Sequence, residues 1–250
     1  MKRFTIITVL IYLISYSNTK AQTKQVNKQE QFWTSINSTV KLTKHWGFIA
    51  DAHVRRTDFL ALPSFYFLRG AANYWINPKL AVALGYAHMW VAPTKAGYTT
   101  FANENRTYQQ LQLLSNAGNV TVLQRLRSEQ RWIEKIVQDK KTDTINFTER
   151  IRYLCSLTIP VFKNKHLPSL IISDEVCLQF GKHIIYNTFD QNRLFIGIKQ
   201  NMSKSLSFDA GYMYLYQQKE TGYHYNANKT YRLFFYYMPD FSRHKNKTKH

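Results

Sequence analysis

The chain has 250 residues, with 34 lysines and arginines against 15 acids, a formal net charge of +19, 15% aromatic residues and a mean hydropathy of −0.40. That length suffices for one domain with a sizeable core, and the hydropathy argues against a helical membrane protein. It does not argue against a β-barrel, whose strands alternate apolar with polar residues.

The chain opens with Lys2 and Arg3, an apolar run over 4–14, then polar residues ending at the small residue Ala21. This is the layout of a secretory signal peptide cleaved after Thr19-Lys20-Ala21. The run is shorter than the ~20 residues a spanning helix needs. The expected organisation is a signal peptide at 1–21, a β-barrel domain at 22–241 and a basic tail at 242–250 holding Arg243, Lys245, Lys247 and Lys249. Without Lys2, Arg3 and Lys20 the net charge is still +16. An exported chain seldom meets nucleic acid, and the arginines sit inside alternating segments, so no nucleic-acid partner is expected.

After a polar lead the chain reads as alternating segments. Phe48, Ala50, Ala52 and Val54 oppose Asp51, His53 and Arg55; Tyr66, Leu68, Ala72 and Tyr74 oppose Arg69, Ala71 and Asn73. Asn77-Pro78-Lys79 makes a turn, since proline cannot donate to a ladder. Val82, Leu84 and Tyr86 then oppose Ala81, Ala83, Gly85 and Ala87, and the segment 101–114 sets Glu104 and Arg106 against Thr107, Leu111 and Leu113. Further on, Arg150 and Arg152 oppose Ile151 and Tyr153; Ser173 and Glu175 oppose Ile172 and Val176; Arg193 opposes Leu194 and Ile196; Asp209 opposes Tyr212 and Tyr214. The last segment, 230–238, is very aromatic. Short turns near Lys44, Pro78, Ala117, Asn164 and Ser203 alternate with longer loops near Leu60, Thr94, Lys140, Ile185 and Gly222, the rhythm of a transmembrane barrel. Eleven segments emerge, and because bacterial single-chain barrels use an even number, 10–12 strands are expected, with twelve favoured.

Residues 123–132 read LQRLRSEQRW, placing Arg125, Arg127, Glu129 and Arg131 at every second position. On a strand these four share one face; Val122, Leu126, Ile133 and Val137 also fit a helical stripe, with Arg125/Glu129 an i,i+4 pair. Hairpin arithmetic separates the two. A turn centred between Ala117 and Gly118 sets Glu104 opposite Arg131 and Arg106 opposite Glu129, two crossed pairs that the helix does not predict. A second turn, between Lys163 and Asn164, sets Arg152 opposite Glu175, Arg150 opposite Cys177 and Cys155 opposite Ile172. The two cysteines then lie on opposite faces and are expected as free thiols.

The polar faces together hold nine arginines (Arg55, Arg69, Arg106, Arg125, Arg127, Arg131, Arg150, Arg152, Arg193) and five acids (Asp51, Glu104, Glu129, Glu175, Asp209). A structural ion-pair network is the ordinary reading of such a set; a cationic constriction selecting anions is the functional one. In this reading Glu129 and Arg131 are structural partners, while Arg125 and Arg127 are the less committed charges. No metal spacing, phosphate loop or cofactor motif is present. His53, His88, His166 beside Ser169, His183 and His224 are the candidates for a Ser–His pair, and none is tied to a serine by a motif.

Glu104-Asn105-Arg106 with Gln109-Gln110, the run from Arg125 to Trp132, Arg150-Ile151-Arg152-Tyr153, Asp174-Glu175 and Phe189-Asp190-Gln191-Asn192-Arg193 resemble the domain of unknown function (DUF) 2490 family over roughly 32–238. The resemblance implies an outer-membrane β-barrel and supplies no activity. The basic tail after Phe241 departs from chains that end on an aromatic strand residue.

The expectation is therefore an all-β, antiparallel transmembrane β-barrel in the cell outer membrane. Its partners are outer-membrane lipids, lipopolysaccharide, the barrel assembly machinery and a small anionic solute. It acts as a narrow anion-biased pore or a plugged structural barrel, with Arg125, Arg127 and Arg131 at the tightest point. A lipid-modifying barrel enzyme and a soluble periplasmic β-sandwich or lipocalin-like binder are the alternatives.

Overall fold

The computed structural model describes residues 23–164 and 167–242. The leader expected at 1–21, His166 and the basic residues from Arg243 onward lie outside the described residues. The strands are β1 (Gln25–Lys41), β2 (Trp46–Thr57), β3 (Leu62–Trp75), β4 (Leu80–Val91), β5 (Ala102–Ala117), β6 (Val120–Val137), β7 (Lys140–Ile159), β8 (Ser169–Phe180), β9 (Phe189–Asn201), β10 (Leu206–Gln218) and β11 (His224–Tyr237). Each pairs with its sequence neighbour, and the sheet closes into a barrel between β1 and β11.

The period-two alternation decides which side chains enter the barrel. On β2, Asp51 and Ile49 are buried inside while Phe48, Ala50, Ala52 and Val54 face out; on β7, Arg150 and Arg152 are buried inside while Ile151 and Tyr153 face out. The apolar set is thus on the outside and the charged set within. Soluble barrels distribute them the other way.

Eleven strands in up-and-down order leave the first and last running in the same direction. Closure therefore uses a parallel seam, β1 against β11 over fourteen residue pairs from Gln25–His224 to Ser38–Tyr237, while every other strand pair is antiparallel. The even count favoured from sequence is not needed. Residues 25–30 prolong β1 instead of forming a twelfth strand, and β1 belongs to the wall.

Two hairpin registers differ from the sequence arithmetic by two residues. The β5–β6 turn is Gly118-Asn119, with Gly118 at φ 59°, so Arg106 pairs with Arg131, Glu104 with Ile133 and Tyr108 with Glu129. Glycine suits that left-handed backbone because it has no Cβ to clash. On β7–β8, Arg152 pairs with Cys177 and Cys155 with Asp174, not with Glu175 and Ile172. A two-residue slip keeps every side chain on its original face. Cys155 and Cys177 are accordingly free thiols, with Cys177 buried in the interior.

The ends of the barrel also differ in detail from expectation. The connection near Lys140 is only Gln138-Asp139, because β6 and β7 run on together past their neighbours as 18- and 20-residue strands. Inside, β4 offers a face of Ala81, Ala83, Gly85 and Ala87. The fully buried Tyr108 lies on it, and a Cβ at Gly85 would stand 2.6 Å from its ring.

The parallel seam is testable by cross-linking in a chain whose native cysteines are replaced. Thr34 and Leu233 face each other across the seam, at the ~4.8 Å strand spacing that a disulfide spans. Thr34→Cys with Leu233→Cys should oxidise to a bridged form visible on a denaturing gel, while Thr34→Cys with Ala227→Cys should not. A bridge in the second pair and none in the first would rule this seam out.

Candidate functional site

The interior is organised by three glutamates that each serve several arginines. Glu129 on β6 accepts hydrogen bonds from Arg150 Nε at 2.9 Å and Arg152 Nη1 at 2.7 Å, with Arg127 and Arg106 at 3.6 and 3.7 Å. Glu175 on β8 accepts from Arg152 at 2.8 Å, Arg193 at 2.9 Å and Arg125 at 2.8 Å. Glu104 on β5 accepts from Arg106 at 2.7 Å and Arg131 at 2.6 Å. The ten residues Glu104, Arg106, Arg125, Arg127, Glu129, Arg131, Arg150, Arg152, Glu175 and Arg193 thus form one continuous cluster across β5 to β9. Arg150–Glu129 and Arg193–Glu175 are directly opposite across neighbouring strands, while Arg131–Glu104, Arg106–Glu129, Arg152–Glu129 and Arg152–Glu175 are diagonal. Arg106–Glu104 and Arg127–Glu129 lie along one strand, and Arg125–Glu175 reaches over a strand.

Three ionic groups join that were not read from the sequence. Asp190 accepts from Arg150 at 3.0 Å. It points inward because a bulge opposite Cys177 and Leu178 sets aside the alternation of β9. Arg232 on β11 pairs with Asp209 at 2.9 Å, and Tyr236 donates to the same carboxylate at 2.7 Å. Its segment reads as aromatic, but its alternation places Arg232 inside. Lys199 lines the interior from β9. Asp51 is paired with Arg69.

The less committed charges also change. Arg125 is bonded to Glu175, and Arg127 donates to Gln110 from Nε at 3.0 Å. Among the described arginines that face the interior, the one without a carboxylate in ion-pair range is Arg55. Its guanidinium carbon lies 3.4 Å from the Trp33 ring centre and 4.4 Å from that of Phe65, and its Nε is buried without a hydrogen-bond partner. Such stacking favours a cation over an aromatic face, yet leaves its N–H groups free to take an acceptor.

These side chains surround a cavity of about 1560 Å³ whose lining runs from Thr94 and Thr99 at one end to Thr121 and Thr158 at the other. Ten arginines line it. Of the six carboxylates bonded to them, Asp51, Glu129 and Asp190 are buried and do not reach the lining. The exposed inner surface is therefore more cationic than the residue count implies. Trp33, Phe195, Met213 and Leu215 pack together in a closed apolar cluster with Phe234 against them, and the Arg232 guanidinium stacks over Phe195 with its carbon 3.3 Å from the ring centre.

The histidines are dispersed. His53 sits among the rings of Phe67 and Phe234 with both ring nitrogens unpartnered, His88 is on the outer face bonded to Asn105, His224 is bonded to Thr221, and His183 is exposed in the loop at 181–188. Among the described residues no group of three or more His, Cys, Asp or Glu is arranged to hold a metal ion.

A closed eleven-strand sheet, apolar outside and ion-paired within, makes this a β-barrel protein with a charged interior. The family model described as "Protein of unknown function (DUF2490)" matches residues 30–226, and the chain belongs to that family. No curated protein and no solved structure matches it.

Residues 92–101, which line one mouth of the cavity, are tied down by Asp139 of the β6–β7 turn. Its carboxylate accepts the backbone N–H of Thr99 at 3.0 Å and of Thr100 at 2.8 Å. Those N–H groups hold the carboxyl below its ordinary pKa. Because the folded pKa is depressed, the tie is complete above the unfolded carboxylate value and is lost as pH falls through the lower folded one. Measured as protection relative to the intrinsic exchange rate, which itself falls with pH, the Thr99 and Thr100 amides should lose protection on acidification in the native chain and lack it at all pH in Asp139→Ala. Equal protection in both at neutral pH would show that the tie does not hold the loop.

The cluster itself predicts a stability effect. Glu129→Gln strips the negative charge from beneath four guanidinium groups and should lower unfolding stability by about 3–5 kcal/mol. Glu149→Gln, on the exposed outer face of the adjacent strand, should stay within about 0.5 kcal/mol of the native chain. Urea unfolding in detergent micelles reads both.

Proposed function

We propose that this barrel resides in the outer membrane and that its lumen admits small anions in preference to cations. The observation that carries the reading is the cavity of about 1560 Å³ lined by ten arginines, with half of their carboxylate partners withdrawn behind them. Rings of basic side chains favour anions because an entering anion replaces lost hydration with guanidinium hydrogen bonds.

The outer wall supports the membrane part. Ile36, Leu68, Leu84, Leu126, Leu194 and Ile196 are large and exposed on it, with Leu84 at 63%, a costly arrangement in water and a favourable one in lipid. Several polar groups on that wall are bonded among themselves: Tyr86 and His88 to Asn105, Thr107 and Gln109 to Gln130, Tyr153 to Gln124, Asn192 to Asp174. Hydrocarbon offers no partners, so such internal satisfaction is what a lipid-facing surface requires. Aromatic groups gather at strand ends, Trp46 with Tyr74 at one rim and Trp132 with Phe147, or Tyr216 with Tyr225, at the other, as interfacial belts do.

The ordering of tests is set by location. The native chain should fractionate with outer membranes and show heat-modifiable gel mobility. In planar bilayers under a potassium chloride gradient its reversal potential should take the sign of chloride selectivity, and Arg127→Ala should move that potential toward zero. A soluble chain would end the membrane reading; absent or cation-selective conductance would end the anion reading.

A further inference from the structure

At one end of the barrel the strands are joined by the connections 42–45, 76–79, 118–119, 160–168 and 202–205. Three of them repeat one design. In Leu42-Thr43-Lys44-His45, Ile76-Asn77-Pro78-Lys79 and Met202-Ser203-Lys204-Ser205, the first two backbone N–H groups donate to the carbonyl of the residue that follows the turn. The second side chain accepts the backbone N–H of that same residue, Thr43 from Trp46 at 2.9 Å, Asn77 from Leu80 at 2.9 Å and Ser203 from Leu206 at 3.0 Å. Held in this way, each turn presents an apolar side chain at its first position and a lysine at its third or fourth, all exposed. The longer 160–168 connection places Phe162 and Lys163 side by side, also exposed. Gly118-Asn119 closes its hairpin with neither, so closure does not demand the pairing of apolar residue with lysine.

In water the exposed apolar member of each pair is at a disadvantage. At a membrane surface the two side chains suit adjacent depths, the apolar one entering the upper acyl region and the lysine reaching back to a phosphate. The five connections hold no aspartate or glutamate. Among the described residues Lys44, Lys79, Lys163 and Lys204 have no carboxylate in ion-pair range; the lysine that has one, Lys141 with Glu134 at 3.3 Å, lies at the opposite rim. Asp240 joins the turn rim from beyond β11, which leaves that rim with a cationic excess over apolar contacts, the complement of an anionic headgroup layer. We propose that this rim binds anionic phospholipid headgroups of the periplasmic leaflet, with Lys44, Lys79, Lys163 and Lys204 on their phosphates. Short turns face the periplasm in such barrels, and lipopolysaccharide occupies the other leaflet. The inference rests on the outer-membrane reading above and not on what the lumen admits.

Trp46, exposed beside the 42–45 turn, is a reporter built into this rim, whereas the exposed Trp90 and Trp132 stand toward the other. The folded native chain is reconstituted into phosphatidylcholine vesicles that contain either phosphatidylglycerol or phosphatidylcholine brominated on its upper acyl carbons, and quenching of tryptophan fluorescence is read. Phosphatidylglycerol should be favoured about five-fold at low salt and lose that preference at high salt. Trp46→Phe should remove the headgroup-dependent part of the quenching. Joint replacement Lys44→Gln, Lys79→Gln, Lys163→Gln and Lys204→Gln should abolish the preference, whereas Lys135→Gln, Lys140→Gln, Lys141→Gln and Lys182→Gln, an equal change of charge at the opposite rim, should leave it. Equal quenching by the two lipids in the native chain, a headgroup effect that persists in Trp46→Phe or in the turn variant, or one lost equally in the opposite-rim variant would each overturn the proposal. The two-lipid comparison needs no variant and stands even where a substitution prevents folding. In cells, Lys79→Cys in a chain whose native cysteines are replaced should react with a membrane-impermeant maleimide only once the outer membrane is opened; reaction in intact cells would overturn the leaflet assignment. Anion-selective conductance without headgroup preference would remove this inference alone; headgroup preference without conductance would remove the pore and leave the lipid-binding rim.

Discussion

Burying a guanidinium costs several kcal/mol unless a carboxylate and further acceptors meet it, and this barrel buries many. It meets the cost by sharing. Glu129 sits among four arginines and Glu175 among three. Arg150 and Arg152 each bridge two carboxylates. No pair can be removed without leaving an uncompensated neighbour, so the five strands β5 to β9 are clamped together from the inside. The cross-strand contacts add a second effect. A slip of any one strand would break several bonds at once, which fixes register where backbone ladders alone are indifferent to it.

The outer wall answers a different demand. A closed sheet leaves no unpaired strand edge, and several polar side chains that face outward are bonded to one another across neighbouring strands. Inside, the ion-pair cluster spans β5 to β9, the apolar cluster around Phe195 carries the Arg232–Asp209 pair, and Trp33, touched by Arg55 and Arg193, joins the two. Tyr108, resting on the alanines and glycine of β4 with Arg127 at 4.8 Å from its ring, forms the other junction.

Most of this division into faces was legible in the sequence, because period-two alternation is insensitive to where a turn is centred. Register was less so. Centring the β5–β6 turn one residue early displaced the ladder by two, yet Glu104 still meets Arg131 and Arg106 still approaches Glu129, since the slip preserved the face and long side chains reach diagonally. Three features lay beyond such arithmetic. The bulge that turns Asp190 inward breaks the alternation on which the reading relied. The reach of Arg125 to Glu175 crosses an intervening strand. The approach of Arg193 to Trp33 depends on closure, for β9 comes round to β1 only through β10 and β11.

The parallel seam has a topological consequence. In a barrel with even strand number both ends of the sheet's chain emerge on the same side; here β1 begins at the end bearing residues 92–101 and 181–188, and β11 finishes at the opposite end, beside the turns 42–45 and 202–205. The first residue of β1 and the last of β11 are therefore separated by the whole height of the wall. The barrel is polar in the geometric sense, with two dissimilar rims, one where the wall begins and one where it finishes.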